Sequence, residues 1–365
     1  MAIVYDSKRT QPLSAAPDSR AGCARLKLLL LVTWKEEGQW YLYRQLKKRL
    51  QRIEVLQPFF FSKAWPRCIG KLAVHLAPVY MSLSALVRRK RYDAVFSWSM
   101  RMGVCYGVLN RLFGGSAHPV HILRDFHVNM VRTDWRYRLR LAVLRFALPG
   151  IDAILCTSRR EERLYTEKFA IAPGRICFFP DVPPSQFLHA RSEPAVADYI
   201  FAYGNSDRDF DTFIEAVRVL GLHAIILSQK FLPQKPLPAN VVLIDRAVSV
   251  EQLQDLLSAA RAVVVPLGHF DVAAGQNSML EAMALGRPVI VSENFATLEY
   301  ARHGDTALFF PAGDAVCLAQ LVQQVFADPE TAETMGGKAQ ASVRRLLDEQ
   351  VRMLLDIARR FAAGA

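Results

Sequence analysis

Residues 266–314 read PLGHFDVAAGQNSMLEAMALGRPVIVSENFATLEYARHGDTALFFPAGD. The apolar run 262–266 that leads into them has the length and valine content of a strand buried on both faces. A loop of small residues follows, then a helix expected over 278–285 and a second strand expected over 288–291. Gly275, Gln276, Asn277 and Ser278 would present backbone N–H groups at the start of that helix. Unpaired donors and the helix dipole favour an anion there, and a diphosphate fits. The same letters admit another reading, since Ser278-x-x-Glu281 is a capping box in which the two side chains satisfy those donors themselves. The window alone leaves both open.

Outward from the window, apolar runs and amphipathic stretches alternate in the βαβ rhythm of a doubly wound sheet. Strands are expected at 199–203, 223–227 and 241–244, with helices at 210–220 and 250–260. Two helices are expected after the window, at 329–347 and 351–362. Upstream, strands are expected at 26–32, 94–97, 120–123, 153–156 and 176–179. Between the two sets lies PPSQFLHARSEP (183–194), with three prolines and no periodicity. The domain reading is a loose tail (1–24), a first domain (25–182), a linker (183–198) and a second domain (199–345). A last helical segment (346–365) is free to pack back towards the first domain.

Charge divides at the same linker. Residues 1–198 hold 32 Lys and Arg against 15 Asp and Glu, whereas residues 199–365 hold 14 against 19. The basic half is therefore expected to meet something anionic, with nucleic acid, a membrane surface and a phosphorylated substrate as the choices. Six scattered cysteines without a C-x-x-C fit reduced thiols in a cytoplasmic protein. The apolar run 72–87 contains His75 and Pro78 and is expected to pack in a core, with a position at a membrane interface as the alternative.

The window resembles the donor-site signature of the retaining GT-B glycosyltransferases of family 4, the glycosyl transferases group 1. The likeness rests on LEAMALGRPVIVS (280–292), Glu299 followed by His303-Gly304, and PAGD (311–314) before a helix. It extends over YGNSDRD (203–209) and NVVLIDRAVSVEQLQDLLSAARAVVVPL (240–267), and more weakly over DAILCTSRREERLYTEKFAIAPGRICFFPDV (152–182). The resemblance implies an α/β fold of two Rossmann-like domains facing each other across a cleft. It also implies a nucleotide-sugar co-substrate, no bound cofactor and no metal. Glu281 would accept hydrogen bonds from the ribose hydroxyls, and the N–H groups of residues 275–278 would hold the diphosphate. Gly204 and Asn205 would shape the donor loop, Arg208 and Lys230 would neutralise the phosphates, and residues 244–246 would meet the base. In one place the chain departs from the pattern: Ala273 stands where the family carries a second glutamate, against the donor sugar. In the first half, TWKEEG (33–38) replaces the family's glycine-rich loop, and PDVPP (180–184) replaces PNG-V-D.

The first half offers its own chemistry in HILRDFH (121–127), at the end of an expected strand and so facing the cleft. Asp125 and His127 are the candidates there to orient an acceptor hydroxyl or the donor sugar. Downstream, RTDWRYRLRLAVLRFAL (132–148) forms a helix with two apolar stripes. Trp135, Leu139, Ala142 and Phe146 fall within about 60° of one another, and Tyr137, Leu141, Leu144 and Leu148 lie opposite. Arg132, Arg136 and Arg140 flank the first stripe. Either both stripes are buried in protein, or one packs on the sheet while the other meets an anionic bilayer.

Together these readings predict transfer of a sugar from a nucleotide-sugar to a glycan or a polyprenyl- or other lipid-linked acceptor, with retention, in assembly of a cell-surface polysaccharide or glycolipid. The enzyme would lie in the cytoplasm, peripheral on the inner membrane face. The competing readings are a nucleic-acid-binding protein using the basic half, which lacks any recognisable binding motif, and a nucleotide-binding relic without catalysis.

Overall fold

The computed structural model describes residues 26–34, 40–58, 67–115, 118–126, 128, 134–188, 196–270 and 273–362. The first set of elements runs β1 (Lys27–Leu31), α1 (Tyr41–Lys47), β2 (Arg52–Leu56), α2 (Arg67–Arg88), β3 (Ala94–Ser97), α3 (Met100–Phe113), β4 (Val120–Leu123), α4 (Trp135–Ala147), β5 (Ala153–Cys156), α5 (Arg159–Phe169) and β6 (Ile176–Phe178). Its six strands form a parallel sheet in the order β2-β1-β3-β4-β5-β6. The leucine run of β1 explains why both faces must be covered. Leu28 and Leu30 enter one core with Leu42 and Leu46 of α1, and Leu29 and Leu31 enter another with Met81 of α2 and Tyr106 of α3.

The second set runs β7 (Tyr199–Tyr203), α6 (Phe210–Leu220), β8 (His223–Leu227), β9 (Val241–Ile244), α7 (Val250–Ala259), β10 (Ala262–Val265), α8 (Gln276–Ala284), β11 (Val289–Ser292), β12 (Leu308–Phe310), α9 (Ala315–Ala327) and α10 (Pro329–Ala362). It too is a six-stranded parallel sheet, in the order β12-β11-β10-β7-β8-β9. In each sheet the chain first steps one way and then jumps back across its first strand. The reversal falls between β1 and β3 in one sheet and between β7 and β10 in the other. The carboxyl ends of those strand pairs are where an open α/β sheet leaves a crevice.

Two expectations are corrected and one open alternative is decided. The last two helices are one, since α10 runs 34 residues without interruption, about 50 Å at the usual rise. Asp348, Glu349 and Gln350 contain no helix breaker, and the buried positions Val343, Leu347, Val351 and Leu354 keep one register. Ala339, Val343 and Leu347 pack in the second domain's core, while Val351, Leu354, Leu355 and Ala358 pack in the first domain's. At the changeover, Gln350 Nε2 donates to Pro180 O at 2.9 Å, and the Tyr41 hydroxyl donates to Asp348 Oδ1 at 3.0 Å.

The run 72–87 is only half a core element. Ala77, Met81 and Ala85 are buried, but Leu76, Val79, Tyr80, Leu83 and Val87 point outwards and are exposed. The two-stripe helix is likewise covered on one side alone. Leu144 and Leu148, with the half-buried Tyr137 and Leu141, close the core under α4, and Trp135, Leu139, Val143 and Phe146 are exposed. Its burial on both stripes is thereby excluded. No helix among the described residues is long and apolar enough to cross a membrane.

Candidate active site

A cavity of about 550 Å³ opens between the carboxyl ends of the two sheets. Its second-domain wall is made by the loops after β7 and β10, the strands that flank the reversal. The β7 loop begins with Gly204 at φ 126°, and a Cβ there would fall 2.5 Å from the Arg208 guanidinium. Only glycine lets that side chain fold back over the strand end. Arg208 then donates from Nε to Tyr203 O (2.9 Å), from Nη1 to Ser206 O (2.6 Å) and from Nη2 to Ser278 Oγ (2.8 Å). Three of its five N–H donors thus hold it in place.

The β10 loop delivers the N-terminus of α8. Gly275 is the N-cap, at φ 84°, and no side chain caps the helix. The helix therefore starts two residues earlier than expected, and the capping-box reading fails. Ser278 is already in the first turn and accepts from Arg208, while the Glu281 carboxylate accepts from the Tyr203 hydroxyl. The first-turn N–H groups, lacking a side-chain cap, carry the positive end of the helix dipole beside a guanidinium. Burial drives the Glu281 carboxyl up to about 7, against the opposing pull of the Tyr203 hydrogen bond and the Arg208 charge. Gly204, Asn205, Arg208, Gly275, Gln276, Asn277, Ser278 and Glu281 all line this wall. Lys230 does not; it is exposed on the segment after β8. The Asn205 side chain instead ties β7 to β8, accepting from Ser228 Oγ (3.1 Å) and Gln229 N (2.9 Å). Asp245 and Arg246 are exposed beyond the end of β9.

The first-domain wall holds groups that sequence spacing does not single out. Arg124, the residue after β4, is 7% exposed and pairs with Asp181 at 2.5 Å. Its guanidinium lies 4.0 Å from the centre of the Trp98 ring. Trp98 in turn packs edge-on against Trp34 and Trp40, with centroids 5.3 and 4.5 Å away. Asp125 lines the cavity at φ 60°, a conformation uncommon outside glycine. His127 and Arg132 lie outside the described residues. His121 is a core residue, its Nε2 2.9 Å from Ser97 Oγ and its Nδ1 3.0 Å from Gly150 O; burial pulls it down to about 4. Trp135, Arg136 and Arg140 are exposed on α4, away from the cavity lining.

The domains touch beside the cavity. Glu299 Oε1 accepts from Arg159 N (2.7 Å) and Ser158 Oγ (3.2 Å), at the N-terminus of α5. The Tyr300 hydroxyl donates to Thr157 O at 2.8 Å and accepts from Asp181 N at 3.0 Å. His303 and Gly304 play a local part, with His303 Nδ1 accepting from Phe309 N at 3.0 Å and Gly304 at φ 73°.

Two six-stranded parallel sheets with their carboxyl ends turned to one cleft match solved glycosyltransferase structures. The fold is GT-B. Sucrose-phosphate synthase from Thermosynechococcus elongatus superposes with a TM-score of 0.63 at 16% identity, over 93% of this chain and 100% of that one. Anabaena Alr3699/HepE in complex with UDP-glucose does so with a TM-score of 0.61 at 14% identity, over 93% and 100%. The UDP-forming α,α-trehalose-phosphate synthase of Burkholderia vietnamiensis gives 0.65 at 11% identity, over 93% and 99%. At these identities the likeness is one of GT-B architecture. Within the GT-B chain, residues 210–328 match the family model described as glycosyl transferases group 1. The D-rhamnosyltransferase WbpZ of Pseudomonas aeruginosa is 33% identical over 108 residues. That alignment covers 29% of this chain and 28% of WbpZ.

Proposed function

We propose that the protein transfers a sugar from a nucleotide-sugar to a glycan or lipid-linked acceptor, with retention of anomeric configuration. One observation carries the reading: the N-terminus of α8, without a side-chain cap, and the Arg208 guanidinium meet at one wall of the interdomain cleft. The match of residues 210–328 to the group 1 family model supports it. So does the fold shared with a protein solved in complex with UDP-glucose.

In this reading the diphosphate lies against the first turn of α8, and Arg208 meets the charge that builds on it as the glycosidic bond breaks. The Glu281 carboxylate accepts the ribose hydroxyls. The acceptor oxygen attacks the anomeric carbon from the face the diphosphate leaves, and its proton passes to a departing phosphate oxygen. Ala273 puts no carboxylate beside the donor sugar, so sugar choice falls to the first-domain wall, where Asp125 lines the cavity and His127 follows two residues on. The acceptor is drawn from the inner face of an anionic membrane, which Trp135, Arg136 and Arg140 of α4 approach. Nucleic acid is not a partner. The described thiols Cys105, Cys156, Cys177 and Cys317 are unpaired, as suits a reducing compartment.

The test is a melting-temperature screen against nucleoside diphosphates and nucleotide-sugars, because a ligand bound only by the folded state raises the transition. The expected result is a rise with one nucleotide series that disappears in Glu281→Ala and Arg208→Ala. A flat response across every nucleotide would overturn the donor site.

A further inference from the structure

We infer that the outer faces of α2 and α4, joined through the end of α3, form one surface that inserts into an anionic bilayer, with α2 supplying the penetrating side chains. The biological sense of this rests on the transferase reading; the physical case stands on three observations.

The first is the face of α2. Leu76, Val79, Tyr80, Leu83 and Val87 are between 42% and 84% exposed. At about 100° per residue they fall within roughly 100° of arc. Ala77, Met81, Ser82 and Ala85 fill the opposite arc and are buried. A helix laid on a sheet ordinarily turns polar residues to water; this one turns an apolar stripe outwards, and among the described residues between 75 and 87 only His75 is both polar and exposed. The second observation is α4, where Trp135 (70%), Leu139 (58%), Val143 and Phe146 are exposed. Arg138 and Arg145 lie on one side of that stripe, and Arg136 and Arg140 on the other. Long cationic side chains on both margins of an apolar stripe are placed to reach headgroup phosphates while the stripe enters the acyl boundary. Continuity is the third. Both α2 and α4 pack on α3. Arg111 of α3 donates to Phe146 O at 2.7 Å and stacks on the Phe146 ring at 4.2 Å, and the next two residues of α3, Leu112 and Phe113, are exposed.

Charge selects the occupant. Residues 76–91, 100–113 and 135–147 carry ten Lys and Arg and no Asp or Glu. The end of α2 continues as Arg88-Arg89-Lys90-Arg91, of which Arg88 is paired with Glu54 at 2.9 Å. An interface with a second copy of this chain would set these like charges against each other. Anionic lipid takes the apolar stripes and the cations together.

The experiment is co-sedimentation of the full chain with vesicles of phosphatidylcholine, alone or mixed with phosphatidylglycerol. The pure vesicles should capture little and the mixed ones most of the protein, with capture falling as salt rises. Leu83→Gln/Val87→Gln and Arg136→Gln/Arg140→Gln should each weaken partition about ten-fold or more, at an unchanged melting temperature. Val219→Gln/Val242→Gln, exposed in the second domain, should partition as the parent does. Equal partition of parent and Leu83→Gln/Val87→Gln would overturn the proposal. So would absence of vesicle binding together with a dimer, seen by sedimentation equilibrium, that this α2 variant dissolves. Nucleotide-induced stabilisation without vesicle binding sinks the docking surface and leaves the donor site standing; vesicle binding without nucleotide stabilisation does the reverse.

Discussion

Glu281 places an acid with its pKa pushed up to about 7 where the proposed donor site would hold the ribose. Because the folded value lies above the ordinary carboxyl value of 4.5, the folded state holds this proton more tightly than the unfolded chain. Its contribution to stability is therefore complete below pH 4.5 and is lost as pH rises through about 7. Glu281→Gln should remove that fall, which urea denaturation at a series of pH values measures. Nucleotide-sugar binding responds in the opposite sense, since ribose hydroxyls donate best to the ionised carboxylate. Affinity should rise between pH 6 and 8 in the parent and stay flat in Glu281→Gln, as titration calorimetry would report; Glu281→Ala should bind about ten- to a hundred-fold more weakly. At Arg208, replacement by alanine should lower turnover by about 10²- to 10³-fold, the usual effect of removing a donor aimed at developing negative charge. Both residues were legible in the sequence because they fall in the two stretches that carry the family resemblance, Arg208 in the glycine-led loop after β7 and Glu281 in the helix after β10. Trp98, Arg124 and Asp181 were not legible. They come from three separate loops, and only the strand order brings them to one wall.

Among the elements, the strands were the most legible, since parallel strands buried on both faces read as unbroken apolar runs. The starts and covered sides of helices were harder. The α8 start was misread because Ser278 and Glu281 have capping-box spacing, whereas Gly275 can adopt the left-handed conformation and begin the helix earlier. In α2 and α4 periodicity marks the apolar positions, but which of them are covered depends on neighbours that local sequence does not specify. For α10 the apparent break at 348–350 reflects a change of packing partner. Glu349 is exposed in the middle of that helix. Glu349→Pro should cost about 3 kcal/mol or more, whereas Glu349→Ala should be close to neutral, and chemical denaturation distinguishes them.

At the scale of the whole molecule, the two domains are held beside the cleft by Glu299 and Tyr300. The Tyr300 hydroxyl serves Thr157 O and Asp181 N at once, so Tyr300→Phe leaves two backbone groups without this partner. A loss of about 1–3 kcal/mol is expected in denaturant titration, with a larger radius of gyration by solution scattering if the contact also holds the domains together. The uneven charge found in the sequence coincides with this division: the cations gather on the domain that carries α2 and α4, and the donor wall needs few.

The length of α10 has a consequence for biogenesis. Val351, Leu354, Leu355 and Ala358 complete the core over Leu28, Leu30 and Phe96, yet a ribosome makes them only after every strand of the second domain. The first sheet must therefore wait, that wall covered only in part by α1, while its neighbour forms. Removing residues from 351 onwards would injure the domain encoded first, and a chaperone should be found on the nascent chain at that stage.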